Sequence, residues 1–158
     1  MPDSRVSNTI TGRDAFLRVL TDEGVSKMFG NPGTTELPIM HALSSAPQMG
    51  YVLGLQEAVV IAMADGYARA TGKVGVASTT CGPGFTQIMT ALTIAARGNV
   101  PLVVFAGDSP IAAAWYLQQI DMAPLALACG AHYVAVKHLD RLLDNVREAF
   151  LVAQNEQR

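Results

Sequence analysis

The strongest constraint on this chain is a repeated alternation: short apolar runs closed by Gly or Pro punctuation, each handing over to a helical segment. Residues 25–29 read as a first strand, broken by Gly30-Asn31-Pro32-Gly33, after which Thr34 or Thr35 can cap a helix carrying Leu37, Ile39, Met40 and Leu43. Residues 51–55 form a second strand, followed by a helix over 56–70 that is apolar nearly all round, is therefore expected to be buried on several sides, and stops at Gly72. Residues 74–79 give a third, closed by Cys81-Gly-Pro-Gly84 and followed by a helix over 85–96. The continuous apolar run 101–106 is of the type found in a parallel sheet covered on both faces. Ahead of these, Thr11 is an N-cap with Asp14 in the capping-box position, opening a helix that stops at Gly24. Behind them, 111–128 reads as a helix interrupted by Pro124, 132–136 as a fifth strand, and 139–156 as an amphipathic helix. The expected fold class is α/β: a doubly wound, mainly parallel sheet with helices on both faces and right-handed crossovers.

Composition narrows what such a domain does. At 158 residues the chain is the size of one domain. Half of its residues are apolar, only 15% are charged and mean hydropathy is +0.27, which is greasy for a free monomer. Between residues 74 and 136 only Arg97, Asp108 and Asp121 are charged, so the middle is core or interface and a homodimer or homotetramer is expected. A net charge of −2 with no basic cluster excludes a nucleic-acid footprint. The longest uncharged stretch is interrupted by Gly-Pro-Gly and dotted with Thr, Ser and Gln, so no membrane span is expected. Two widely separated cysteines, Cys81 and Cys129, fit neither a zinc ribbon nor a disulfide scaffold, and with a polar amino-terminal stretch they point to a cytoplasmic protein.

In open α/β sheets ligands sit beyond the carboxyl ends of the strands. On this reading residues 30–35, 55–57 and 80–84 converge on one such rim. Glu57 is the informative residue there, since it opens a helix whose next turns are apolar. It can simply complement the helix dipole. A carboxyl in that setting is otherwise expensive to desolvate without a dedicated partner, and it can share a proton with a ring nitrogen. The two glycine turns can be plain turn makers, or they can admit close approach of backbone to a flat ligand.

Other groups read as structural. Asp65 and Arg69 are spaced for an intrahelical ion pair, Tyr67 for packing, and Cys81 as a small buried thiol. His41, His132 and His138 have no metal-ligand spacing. Trp115 and Tyr116 can line a pocket but fit a core-plus-surface role better. No diphosphate cradle is present: Gly66 to Lys73 has five residues where a P-loop has four and ends a helix rather than opening one, and Gly82-Pro83-Gly84 lacks the third glycine of a dinucleotide fingerprint.

Taken together, Phe29-Gly-Asn-Pro-Gly-Thr-Thr-Glu-Leu-Pro, Leu55-Gln-Glu-Ala, Ala64-Asp-Gly-Tyr-Ala-Arg-Ala-Thr-Gly-Lys73, Cys81-Gly-Pro-Gly84 and Pro101-Leu-Val-Val-Phe-Ala-Gly-Asp108 resemble the N-terminal pyrimidine-binding domain of thiamine-diphosphate enzymes of the acetolactate synthase and benzoylformate decarboxylase kind. The likeness runs from about Thr11 to Gln157 with the motifs in order. It implies that Glu57 hydrogen-bonds the aminopyrimidine ring and promotes its imino tautomer, which activates the thiazolium carbon. It further places Pro32, Gly33, Pro83 and Gln87 near the pyrimidine, and Thr34, Thr80 and Gln118 near a small 2-oxo-acid substrate.

Two departures shape the expectation. Thr80 stands where benzoylformate decarboxylase carries an active-site histidine, so proton relay by that residue is not expected and decarboxylation and carboligation both stay open. The Gly-Asp-Gly and Asn-Asn motifs with which the family holds the diphosphate and its Mg2+ are absent, so no metal ligand is assigned and a diphosphate-binding domain, of the same or a partner chain, is implied. The resemblance therefore implies the cofactor-activating domain of a decarboxylase or carboligase, inactive alone and a fragment of a longer three-domain chain. The alternatives are a separate subunit of a two-chain decarboxylase and a non-catalytic α/β assembly domain.

Overall fold

A computed structural model describes residues 9–110 and 115–157. Helix α1 (Gly12–Asp22) starts at Thr11, whose hydroxyl accepts from the Asp14 N–H at 3.3 Å, and runs out before Gly24, where φ is +80°. Strand β1 (Lys27–Gly30) leads through a 3₁₀ turn (Thr34–Glu36) into α2 (Leu37–Leu43). Strand β2 (Gly50–Leu53), α3 (Glu57–Thr71), β3 (Gly75–Thr79), α4 (Pro83–Arg97) and β4 (Leu102–Ala106) follow. Helices α5 (Met122–Ala128) and α6 (Leu142–Asn155) complete the described chain. The strands form one parallel sheet in the order β2-β1-β3-β4, so the expected fold class holds.

Period-two alternation divides the core into two layers. Phe29, Ala77 and Leu102 face a cluster built from α3, α4 and α5, including Ile61, Ile88 and Met122. Met28, Val76 and Val103 face the other side, against α1, α2 and α6, with Leu20 and Phe150 at its centre. Helix α3 lies so close to the sheet that a Cβ on Gly75 would fall 2.4 Å from the Ala64 carbonyl oxygen. Gly72 ends the same helix in the left-handed region at φ +69°, the conformation a glycine C-cap supplies.

Three expectations are corrected. The helix read over 111–128 begins only at Met122, with Asp121 as its N-cap. Pro124 sits in the first turn, where its missing N–H is no loss, so it opens this helix rather than interrupting it. Residues 111–114 lie outside the described residues. The fifth strand read over 132–136 joins no sheet. A groove of about 650 Å³ runs between β4 and this segment, with Leu92, Ala95 and Met122 on one wall and Val146, Ala149 and Val152 on the other. Both helical layers therefore extend past the sheet edge, and 132–136 has no adjacent strand to pair with. Helix α3, expected to be enclosed on several sides, is covered on one, leaving Val59, Ala62 and Gly66 exposed on the other.

Ile61 is wholly buried and Leu55 is 91% exposed. Urea denaturation should therefore show Ile61→Ala losing about 2–5 kcal/mol of stability and Leu55→Ala staying within about 0.5 kcal/mol of the parent.

Candidate functional site

Because all four strands run parallel, their carboxyl ends lie at one edge and the loops that follow them meet there. The Gly54 N–H donates to the Gly30 carbonyl at 2.9 Å, joining the loops after β2 and β1. The Gly107 N–H donates to the Thr79 carbonyl at 2.9 Å, joining those after β4 and β3.

Glu57 is the first residue of α3, its neighbour Gln56 being the extended residue that precedes the helix. The side chain is buried, at 9% exposure, beside an exposed Leu55 and Gln56. Its Oε1 accepts from the Nδ2 of Asn31 at 3.3 Å, so the glycine turn after β1 supplies the dedicated partner that burial of a carboxyl requires. First-turn placement adds the favourable end of the helix dipole.

The other expected site residues divide into two groups. Pro32, Gly33 and Thr80 are half-buried and lie in the loops around this point. Gly33 and Thr80 are close neighbours, since a Cβ on Gly33 would fall 2.7 Å from the Thr80 hydroxyl oxygen. Thr34, Pro83, Gln87 and Gln118 are exposed. Gln118 reaches the site through its backbone: Gly82, at φ +58°, leaves room for the Gln118 carbonyl oxygen, which a Cβ there would approach to 1.9 Å. Trp115 is 79% exposed and packs edge-on against Tyr116 at a centroid distance of 6.2 Å.

A second carboxyl, Glu36, was quoted in the motif above but given no role by sequence reasoning. It is 1% exposed and accepts from the Gly33 N–H at 2.8 Å and from the Thr35 hydroxyl. The Thr35 hydroxyl also lies 3.0 Å from that of Thr80. The signal for Glu36 was its spacing three residues after Gly33, the reach-back half of a capping box. Asn31 was likewise missed as a side chain, having been read only as a turn residue.

Burial pushes the Cys81 thiol up from its ordinary value, with the Asp108 and Glu36 carboxylates adding to the effect. The thiol is thus held in its weakly nucleophilic form, as a structural cysteine should be. Burial also raises Tyr51, whose hydroxyl lies 3.3 Å from that of Ser78. The structural readings of Asp65, Arg69 and Tyr67 agree with what is seen: Arg69 Nε meets Asp65 Oδ1 at 2.5 Å, and Tyr67 packs on Phe29 at 5.6 Å. Among the described residues no group of three or more His, Cys, Asp or Glu side chains is placed to hold a metal ion.

The family described as "Thiamine pyrophosphate enzyme, N-terminal TPP binding domain" matches residues 10–125. The mitochondrial acetolactate synthase catalytic subunit of Saccharomyces cerevisiae is 34% identical over 146 residues, covering 91% of this chain and 21% of that protein. The acetolactate synthase isozyme 3 large subunit of Escherichia coli is 35% identical over 146 residues, covering 91% and 25%. Among solved structures, the thiamine diphosphate-dependent 4-hydroxybenzoylformate decarboxylase of Rhodococcus jostii RHA1 superposes with a TM-score of 0.87 at 27% identity, covering 94% of this chain and 28% of that one. The chain therefore spans about a quarter of the length of the relatives it matches.

The rim tolerates little added volume. A Cβ on Gly107 would lie 2.0 Å from Glu36 Oε1 and 2.4 Å from the Thr35 hydroxyl, whereas one on Gly66 meets nothing within 4 Å. Thermal unfolding of the chain should show Gly107→Ala destabilised by about 1–3 kcal/mol and Gly66→Ala stabilised by up to about 1 kcal/mol.

Proposed function

The chain belongs to the thiamine pyrophosphate enzyme N-terminal TPP-binding domain family, and from that premise we propose that it is the cofactor-activating part of a 2-oxo-acid decarboxylase or carboligase, with Glu57 as the activating group. One observation carries the reading: a carboxyl withdrawn from water at the first turn of α3, held by Asn31 of the facing glycine turn, at the rim where the strands end. Such a group suits a polarisable ring nitrogen, because a hydrogen bond formed away from water is strong and its proton is readily shared.

The fit is good for one end of the cofactor and poor for the other. Glu57 would hold the aminopyrimidine, with Pro32, Gly33, Pro83 and Gln87 shaping the space around the ring. When bound, thiamine diphosphate supplies a carbon nucleophile and an electron sink for the substrate's carbonyl carbon. Glu57 would hydrogen-bond the ring nitrogen, and Asn31, bonded to Oε1, would fix the orientation of its carboxyl. Thr34, Thr80 and Gln118 would face the 2-oxo acid. No diphosphate cradle or metal cluster is found among the described residues, so the charged end and its Mg2+ are assigned to a diphosphate-binding domain elsewhere. This supports reading residues 1–158 as one domain of a longer three-domain protein, which turns over only when that domain is present.

The exposed stripe of Val59, Ala62 and Gly66 on α3, with Leu53 and Leu55 beside it, supports a homodimer or homotetramer in the complete protein. In that complete protein Glu57→Gln should lower the thiamine-dependent rate by on the order of 10² or more, the scale of a lost proton-transfer group. An unchanged rate would reject Glu57 as the activator and leave the domain an assembly module.

A further inference from the structure

We propose that Glu36 is a positioning residue that sets the hydrogen-bond polarity of Thr80, so that this threonine can relay a proton at the rim. The proposal rests on the reading that the rim faces cofactor and substrate, but its mechanism is written in this chain alone.

The geometry is a three-membered chain. Glu36 Oε2 accepts from the Gly33 N–H at 2.8 Å, Glu36 Oε1 pairs with the Thr35 hydroxyl, and that hydroxyl lies 3.0 Å from the Thr80 hydroxyl. Glu36 is sealed from water while Thr80 is half-buried, so the chain leads from the interior to the rim. None of the ion pairs among the described residues involves Glu36. The close approach of Gly33 and Gly107 to the carboxylate and to Thr35 leaves it no space to swing away.

Each hydroxyl has one proton, and this fixes the direction of the chain. When Glu36 is ionised it only accepts, so Thr35 donates to Oε1 and Thr80 must donate to Thr35. Thr80 then offers the site lone pairs alone. When Glu36 is protonated, Oε2 stays committed to the Gly33 N–H and the proton sits on Oε1. The acid now donates to Thr35, Thr35 to Thr80, and the Thr80 proton is free to point at the site. If a ligand atom takes that proton, Thr80 takes the proton of Thr35 and Thr35 takes that of Glu36. One proton has moved from the carboxyl to the ligand with no side chain displaced. Thr80 can thereby carry proton traffic, with Glu36 as its source.

Four other titratable groups stand at this rim: Tyr51 on β2, Glu57 at the start of α3, Cys81 after β3 and Asp108 after β4. The tyrosine and the thiol are both raised by burial, so they change state at alkaline pH, away from the carboxyls. Asp108 and Glu57 are the two carboxyls to be separated from Glu36.

The test is an NMR titration of this chain carrying 13C-labelled glutamate and threonine, with no cofactor added. The Thr80 signals should show a step that coincides with titration of the Glu36 carboxyl carbon. The step should vanish in Glu36→Gln, whose amide can donate to Thr35 and accept from Gly33 and so fixes the polarity. It should vanish in Thr35→Val, return in Thr35→Ser and survive in Asp108→Asn. Should Thr35→Val fail to fold, Glu36→Gln and Asp108→Asn decide the matter. A step that persists in Glu36→Gln, a step lost in Asp108→Asn, or a Glu36 carbon that does not titrate while the fold persists would overturn the proposal. The step should also survive in Glu57→Gln, and its loss there would overturn the proposal; with that arm, failure of the cofactor reading leaves the result standing, and the reverse also holds.

Discussion

Keeping the Glu57 carboxyl out of water is the unfavourable step that the rest of the architecture accommodates. An isolated carboxylate loses several kcal/mol on desolvation, so it stays buried only where partners are fixed in advance. Asn31 is such a partner because the turn after β1 holds it, and that turn is held by the backbone bond between Gly54 and Gly30. The helix that presents Glu57 is in turn fixed by apolar packing of Ile61 and Ala64 against the sheet. A neutral residue at 57 would relieve the desolvation but would give up the favourable placement at the helix N-terminus and the charge-assisted bond from Asn31.

Glu36 repeats the same physics on the neighbouring loop. Its partners are a backbone N–H and a hydroxyl rather than a cation. The two acids are attached to different elements yet approach the same rim, because a parallel sheet delivers every strand end to one side. Glycine at 33, 82 and 107 is the complement of this arrangement: each sits where a Cβ would meet a side chain or a carbonyl from another loop.

Much of this was legible in the sequence. Strand and helix order, the caps at Thr11 and Gly72, the ion pair of Asp65 with Arg69 and the unusual setting of Glu57 all follow from local pattern, because each depends on residues within a few positions of one another. Most of the failures were non-local. The 132–136 run has strand-like composition, but a strand is defined by its neighbour, and the groove beside β4 separates it from one. Pro124 was read as a breaker because the start of α5 was not visible without the Asp121 cap. Asn31 looked like an ordinary turn residue, since what singles it out is contact with Glu57 across the rim; Glu36 was a different miss, because its bonds to Gly33 and Thr35 are local and its spacing already carried the signal.

The groove beside β4 and the exposed stripe on α3 are apolar surfaces of the described chain, which spans about a quarter of the length of its relatives. The central claim nevertheless concerns one hydrogen bond, and it is best read at the ligand. Thiamine diphosphate labelled with 15N in the pyrimidine ring should be bound to the complete protein and its ring-nitrogen resonances compared between the parent and Glu57→Gln. The account predicts that one ring nitrogen shifts strongly on binding to the parent and returns towards its free position in the variant. Identical ring-nitrogen shifts in the two bound proteins would contradict it.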